Sequence, residues 1–200
     1  MGTAGSLALD FANTLDWRRR EHPVELLRGF PDLLRWAWSA GVLERSEAKK
    51  LRAWAEAHRR PAARALADAI EVREAIAAIF QATLGDGEPP PKALARLESA
   101  CRSAWGARAL RAVNGVAAWT WREGPPEPSR PAAAAALDAA RLLTSPECRR
   151  VRQCADAECG WFFLDTSRNR SRRWCSMEAC GNRNKARRFY RRAAAKGGPR

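Results

Sequence analysis

Cys154-Ala155-Asp156-Ala157-Glu158-Cys159 and, after a gap of 15 residues, Cys175-Ser176-Met177-Glu178-Ala179-Cys180 set four cysteines as two C-x4-C pairs. Each pair can form a knuckle that aims two sulfurs at one ion, and the stretch between them is long enough for a hairpin that brings the second pair to the first. Four thiolates select zinc. They also fill a tetrahedral shell, leaving no position for a reacting water, so the expected ion is a single structural Zn2+ rather than a catalytic one. The second pair runs into Gly181-Asn182-Arg183-Asn184-Lys185-Ala186-Arg187-Arg188-Phe189-Tyr190-Arg191-Arg192, a strongly basic segment at helical spacing.

Charge sharpens this reading. The 200 residues carry a net charge of +14 at a calculated pI of 10.8. Residues 151–200 hold 13 Lys/Arg against four Asp/Glu, which leaves only +5 for the first 150. From Thr166 onward Glu178 is the only acid, so pairing along the helix cannot neutralise the arginines. Such a surface attracts phosphates, and duplex DNA is the expected partner. Arg168, Arg170, Arg172 and Arg173 in the turn are candidate phosphate contacts, and Arg183, Lys185, Arg187, Arg188, Arg191 and Arg192 are the candidates on the helix. On a helical wheel Ala186, Phe189, Tyr190 and Ala193 face the hairpin, leaving the row Arg183, Arg187, Arg191 outward.

The segment before the cysteines reads as helices. Leu7, Phe11 and Leu15 recur at helical spacing, as do Leu33, Leu34, Trp36 and Trp38 between Pro31 and Gly41. Ser46 is a candidate N-cap for a helix carrying Leu51, Trp54, Ala55 and His58. Pro61 opens the longest stripe, Leu66, Ile70, Ala77, Phe80 and Leu84, and a further stripe from Pro91 reaches about Trp105. Asn114-Gly115 between two apolar runs predicts a hairpin with a type I′ turn. A Pro-rich linker spans 124–131, followed by a helix to Leu143 and a short helix from Pro146 leading into Cys154.

The expected fold is therefore mainly α. A multihelical domain with one β-hairpin occupies 1–145, a small treble-clef-like zinc module of hairpin and helix 146–195, and a flexible tail 196–200. In the module, Trp161-Phe162-Phe163-Leu164 reads as a strand, Arg173-Trp174-Cys175 as its return, and Ser176 as the cap of the last helix.

Cys180-Gly181-Asn182-Arg183 and the run Trp161-Phe162-Phe163-Leu164-Asp165-Thr166-Ser167-Arg168-Asn169-Arg170-Ser171-Arg172-Arg173-Trp174-Cys175-Ser176-Met177 resemble the signature of the CGNR zinc finger over roughly 145–192. In that family the finger follows a mostly helical ABATE domain, whose start is similar to Leu7-Ala8-Leu9-Asp10-Phe11-Ala12-Asn13-Thr14-Leu15. The resemblance implies a stress-induced bacterial transcription regulator.

Other readings stand beside it. The basic helix could dock on an acidic protein such as RNA polymerase, or the module could bind RNA if Trp161, Phe162 or Trp174 exposes a ring for stacking. A lone finger reads few base pairs, which makes a homodimer a candidate. Asp10, Asn13 and Thr14 share a helix face: they could line a polar pocket for a small effector, but bonding to neighbouring backbone is the simpler role. A second candidate pocket lies among Trp36, Trp38 and Trp54. Cys101 and Cys148 read as ordinary thiols. No Walker loop, G-x-S-x-G or H-E-x-x-H occurs and there are two histidines, so no enzyme is expected. With neither a signal peptide nor a 20-residue apolar run, the expected setting is the cytoplasm without a membrane partner.

Overall fold

Helix α4 (Arg59–Leu84) is the spine around which the other helices pack. Its alanine-rich sequence favours helix along its whole length, and Ala69, Val72, Ile76, Ile79 and Phe80 supply the buried stripe. It is preceded by α1 (Leu7–Ala12), the two-residue strands β1 (Leu15–Asp16) and β2 (Val24–Glu25), α2 (Phe30–Ser39) and α3 (Arg45–Ala57). It is followed by α5 (Pro91–Gly106), the hairpin β3 (Arg108–Val113) and β4 (Val116–Trp121), and α6 (Arg130–Leu143). The computed structural model describes residues 4–122, 124–125 and 127–196. Of the expected linker, Pro126 lies outside these residues, and α6 already begins within it at Arg130. No described helix is long and apolar enough to cross a membrane.

Local signals account for the element ends. Asn114 (φ 51°) and Gly115 (φ 79°) both adopt the left-handed conformation that a type I′ turn requires, and β3 pairs with β4 from Val113↔Val116 to Arg108↔Trp121. The cap of α3 differs from expectation. Glu44, not Ser46, is the N-cap, because Glu44 and Glu47 form a reciprocal capping box that starts two residues earlier. The core also contains a charge network: Arg73, 2% exposed, donates to both carboxylate oxygens of Glu25 at 2.6 and 2.7 Å and to Glu74 at 2.8 Å. Glu74 is gripped in turn by Arg18 at 2.5 Å.

The C-terminal module is built on this body. A 3-10 turn (Pro146–Arg150) leads to β5 (Val151–Gln153), which pairs antiparallel with β6 (Phe162–Leu164) in the register Val151↔Leu164, Gln153↔Phe162. This corrects the expected hairpin: Arg173-Trp174-Cys175 is not the partner of Trp161–Leu164. Pairing with 151–153 lets Val151, Phe162 and Leu164 enter the core of the helical body, with Phe162 6.2 Å from Phe80 between ring centroids. An Arg-Trp-Cys strand has no apolar set for that face. Strand alternation turns Phe163 the other way, onto the cysteines. The apolar core runs across the expected division between residues 145 and 146. A π turn (Met177–Gly181) precedes α7 (Asn182–Lys196). Lys196, expected to begin a flexible tail, is the last residue of α7, and 197–200 lie outside the described residues.

Candidate metal centre and basic surface

The first knuckle caps the β5–β6 hairpin: the Cys154 N–H donates to the Trp161 carbonyl at 2.8 Å. The approach to the second knuckle is tied to it where the Ala155 N–H donates to the Arg173 carbonyl at 2.9 Å. These bonds bring the sulfurs of Cys154, Cys159, Cys175 and Cys180 within 4.8 Å of one another, all four residues buried. Cys175 Sγ lies 3.6 Å from both Cys159 Sγ and Cys180 Sγ. A zinc ion with Zn–S bonds of about 2.3 Å has tetrahedral S···S edges of roughly 3.8 Å, so the donor set fits it in both chemistry and spacing. Hydrogen bonds between the sulfurs tie the protonation of the four thiols together. Hydrogen bonds from Cys159 and Cys175 push Cys154 down, the shared Cys154 bond pushes Cys159 and Cys175 up, and burial pushes Cys180 up. Zinc supplies the charge that lets all four ionise together, and its role is structural.

Two buried aspartates organise the surroundings. Asp156, inside the first knuckle, accepts from the Glu158 N–H (3.1 Å), Arg183 Nε (3.1 Å) and Asn184 Nδ2 (2.7 Å). Burial opposes its charge, but these donors hold its pKa below the ordinary carboxylate value. Arg183 also donates to Cys180 Sγ at 3.0 Å, and Arg187 pairs with Glu158 at 2.8 Å. Asp165 accepts from the Ser167 N–H and hydroxyl (2.9 and 2.5 Å) and the Arg172 N–H (3.0 Å), folding the turn after β6. The Arg172 guanidinium lies over the Phe163 ring at 4.5 Å and donates to the Trp174 and Cys175 carbonyls.

These contacts sort the basic residues. Arg172, Arg183 and Arg187 are half-buried and engaged within the module. Arg168, Arg170, Arg173, Lys185, Arg188, Arg191 and Arg192 are exposed. The expected phase of the last helix is therefore corrected. Phe189 and Tyr190 are 69% and 70% exposed, Ala186 and Ala193 are exposed too, and Arg183, Asn184 and Arg187 form the inner side. Apolar periodicity misled because no apolar surface lies opposite; what faces α7 is the carboxylates of Asp156 and Glu158. Ser176 does cap, with its hydroxyl accepting from the Ala179 N–H at 3.2 Å, but it caps the π turn before α7. Phe162 is buried, and Trp161 and Trp174 pack half-buried against the cysteine cluster.

A segment that sequence reading passed over completes the site. After α1, Trp17-Arg18-Arg19-Arg20 wraps the first knuckle. The Arg18 N–H donates to the Cys159 carbonyl (3.1 Å), Arg19 reaches the Cys154 carbonyl (3.4 Å), Arg20 pairs with Glu158 (2.7 Å), and the Arg183 guanidinium stacks 4.3 Å from the Trp17 ring centroid. The segment passes so close to Gly160 (φ 74°) that a Cβ there would meet Arg18 Cβ at 3.1 Å. The available signals were the arginine run itself and the two acids inside the first C-x4-C.

Asp10, Asn13 and Thr14 do not converge on one pocket. Asn13 donates to the Phe162 carbonyl and accepts from the Phe162 N–H, both at 2.8 Å, and so pairs with β6 as a strand would. Thr14 Oγ1 donates to the Phe11 carbonyl at 2.7 Å. Asp10, whose pKa burial raises, accepts from the Ala4 N–H and lines a shallow cleft of about 310 Å3 with Ser6, Trp36 and Ser39. Trp36, Trp38 and Trp54 line three different clefts. The helical body and the thiolate knot thus interlock through Asn13, the Trp17–Arg20 segment and β6. No curated protein matches the sequence. Residues 150–193 match the family model of the CGNR zinc finger, and residues 5–146 match that of ABATE, described as "Putative stress-induced transcription regulator". The chain, a zinc-binding regulator with one structural zinc, belongs to the ABATE family and carries a CGNR zinc finger at its C-terminal end.

Proposed function

We propose that the protein regulates transcription by binding duplex DNA through the surface that the zinc module holds in place, without catalysing a reaction. The observation that carries this reading is the segregation of charge. Arg168, Arg170 and Arg173 on the turn and Lys185, Arg188, Arg191 and Arg192 on α7 are exposed, while the inward arginines consume the nearby carboxylates of Asp156 and Glu158. The turn and α7 are thereby left with a cationic surface on a rigid frame, suited to phosphates on either side of a groove. The helical body takes the sensing role, coupled to the module through Asn13 and Trp17–Arg20.

The test is duplex binding measured by fluorescence anisotropy over a salt series. Replacing Arg168, Arg170 and Arg173 by Ala, or Lys185, Arg188 and Arg192 by Ala, weakens binding and reduces the log–log salt slope by about 0.9 for each phosphate no longer neutralised, with zinc content unchanged. Equal affinity and slope in both triple variants would overturn the reading. One observation favours a second reading: Phe189 and Tyr190 form an exposed edge-to-face pair, centroids 5.8 Å apart, among the arginines. Aromatic and arginine side chains together are enriched in protein interfaces, as docking on an acidic partner such as RNA polymerase would need. Phe189→Ala/Tyr190→Ala separates the two, since it spares duplex binding and abolishes capture of the polymerase only under the second reading.

A further inference from the structure

Three helices of the body meet through alanine. Ala65 and Ala69 of α4, Ala100 and Ala104 of α5, and Ala132 and Ala133 of α6 line one trough. Six methyl groups are too small to close the space between three helix backbones, so a cleft of about 500 Å3 is left where larger side chains would have made core. Trp54 of α3 and Trp121 of β4 wall this cleft. Its floor and walls are thus flat and apolar, at a volume suited to one or two fused rings.

The rim supplies donors in excess of what the protein uses. The Arg130 guanidinium carbon sits 5.2 Å from the Trp121 ring centroid, and one terminal nitrogen pairs with Glu47, which fixes the group in place. Its Nε is buried without a hydrogen-bond partner, so among the described residues Glu47 is the only acceptor that the guanidinium has. The Ser103 and Ser129 hydroxyls also line the cleft and make no side-chain hydrogen bond among the described residues, and Arg64 on the same rim has no carboxylate partner there. Arg96 differs, being engaged by Glu71 at 3.1 Å and the Asp68 carbonyl at 2.9 Å. Asp68 and Glu127 complete the rim, so a polyphosphate or dicarboxylate would be repelled by like charge.

We infer that this cleft binds a small aromatic monocarboxylate. The ring lies on the alanine floor between Trp54 and Trp121, and the carboxylate accepts from the Arg130 guanidinium and a serine hydroxyl. This deepens the sensing role proposed above and rests on it for its consequence. Binding itself is read on the protein without nucleic acid, so its failure is distinguishable from failure of the DNA reading.

The experiment titrates naphthoate, and its neutral counterpart naphthylmethanol, into the full-length zinc-loaded protein by calorimetry and tryptophan emission. The expected result is saturable one-to-one binding of naphthoate with an emission change, and at least about tenfold weaker binding of the alcohol, because the alcohol offers the guanidinium no anionic acceptor. Arg130→Gln, checked for fold by circular dichroism, removes that discrimination. Ala104→Leu fills the trough and abolishes binding; if that variant does not fold, Arg130→Gln decides. No saturable naphthoate binding up to about 1 mM, equal affinity for acid and alcohol, or an unaltered Arg130→Gln variant would each overturn the inference.

Discussion

The helical body and the cysteine module hold their shapes by different means. In the body, apolar stripes on α1, α2, α4 and α6 meet in a continuous core, and the network of the buried Arg73 with the half-buried Glu25, Glu74 and Arg18 sits at its edge. The module has a small cluster of Phe163 and four cysteines, with Trp161 and Trp174 beside it, and its remaining order comes from carboxylates and carbonyls that hold arginines. A segment that buries so little apolar surface relies on its ion, whereas the body does not. One structural element serves both: β6 turns Phe162 and Leu164 into the body and Phe163 onto the cysteines.

The largest effect that would break this contrast is loss of metal. Cys175→Ser, or zinc removal by a chelator, should unfold residues from the first knuckle through α7, since zinc binding to finger peptides is worth about 10–16 kcal/mol. Limited proteolysis should then cleave that segment while circular dichroism retains most helix of the body. Resistance to cleavage after zinc loss would show that the body alone holds the module. Next comes Phe162→Ala, which opens a cavity in the body and should cost about 3–5 kcal/mol in urea unfolding. Phe163→Ala, one residue away, should instead lower zinc affinity in a competition titration and move the body's transition far less. If the two variants behave alike, the two faces of β6 are not independent.

Asn13→Ala ranks third. It leaves the buried Phe162 N–H and carbonyl without their partner, at a cost of about 1–3 kcal/mol for a buried unsatisfied group, and should loosen the module before the body in hydrogen exchange. The smallest effect is electrostatic. Burial opposes the charge on Glu74, but bonds from Arg18 and Arg73 hold its carboxyl below the ordinary 4.5. That stabilisation is fully present above 4.5 and is lost as pH falls through the lower folded-state value. Melting curves below about pH 5 should therefore fall more steeply for the native protein than for Glu74→Gln, and parallel curves would remove Glu74 from the account.

How far the sequence could be read depended on the range of the interaction. The Asn114-Gly115 turn was legible because both left-handed residues act within the hairpin itself. The C-x4-C pairs were legible because the chemistry of four thiolates is the same wherever they sit. The phase of α7 was not. A helical wheel assumes that the apolar side faces inward, but α7 meets Asp156 and Glu158, so Arg183 and Arg187 turned in and Phe189 and Tyr190 turned out. The partner of β6 was missed for a related reason, since both 151–153 and 173–175 lie within reach and only the body's core selects the first. Asn13 and Thr14 lie beyond the end of α1, and the bond from Asn13 spans 149 residues to Phe162, a target that no helical spacing reveals.

By itself, then, the sequence determined the thiolate set, the single structural zinc, the helical character of the body, the type I′ hairpin and the excess of positive charge near the C-terminal end, because each follows from residue chemistry or from neighbours within a few positions. Only the tertiary structure decided which arginines are spent on Asp156, Glu158 and the Cys175 carbonyl and which are left for a partner, that the Trp17–Arg20 segment clasps the knuckle, and that alanines from three helices leave a cleft beside an unsatisfied Arg130. Those outcomes depend on which groups come within about 3–5 Å across the fold, the range over which hydrogen bonds and packing contacts act.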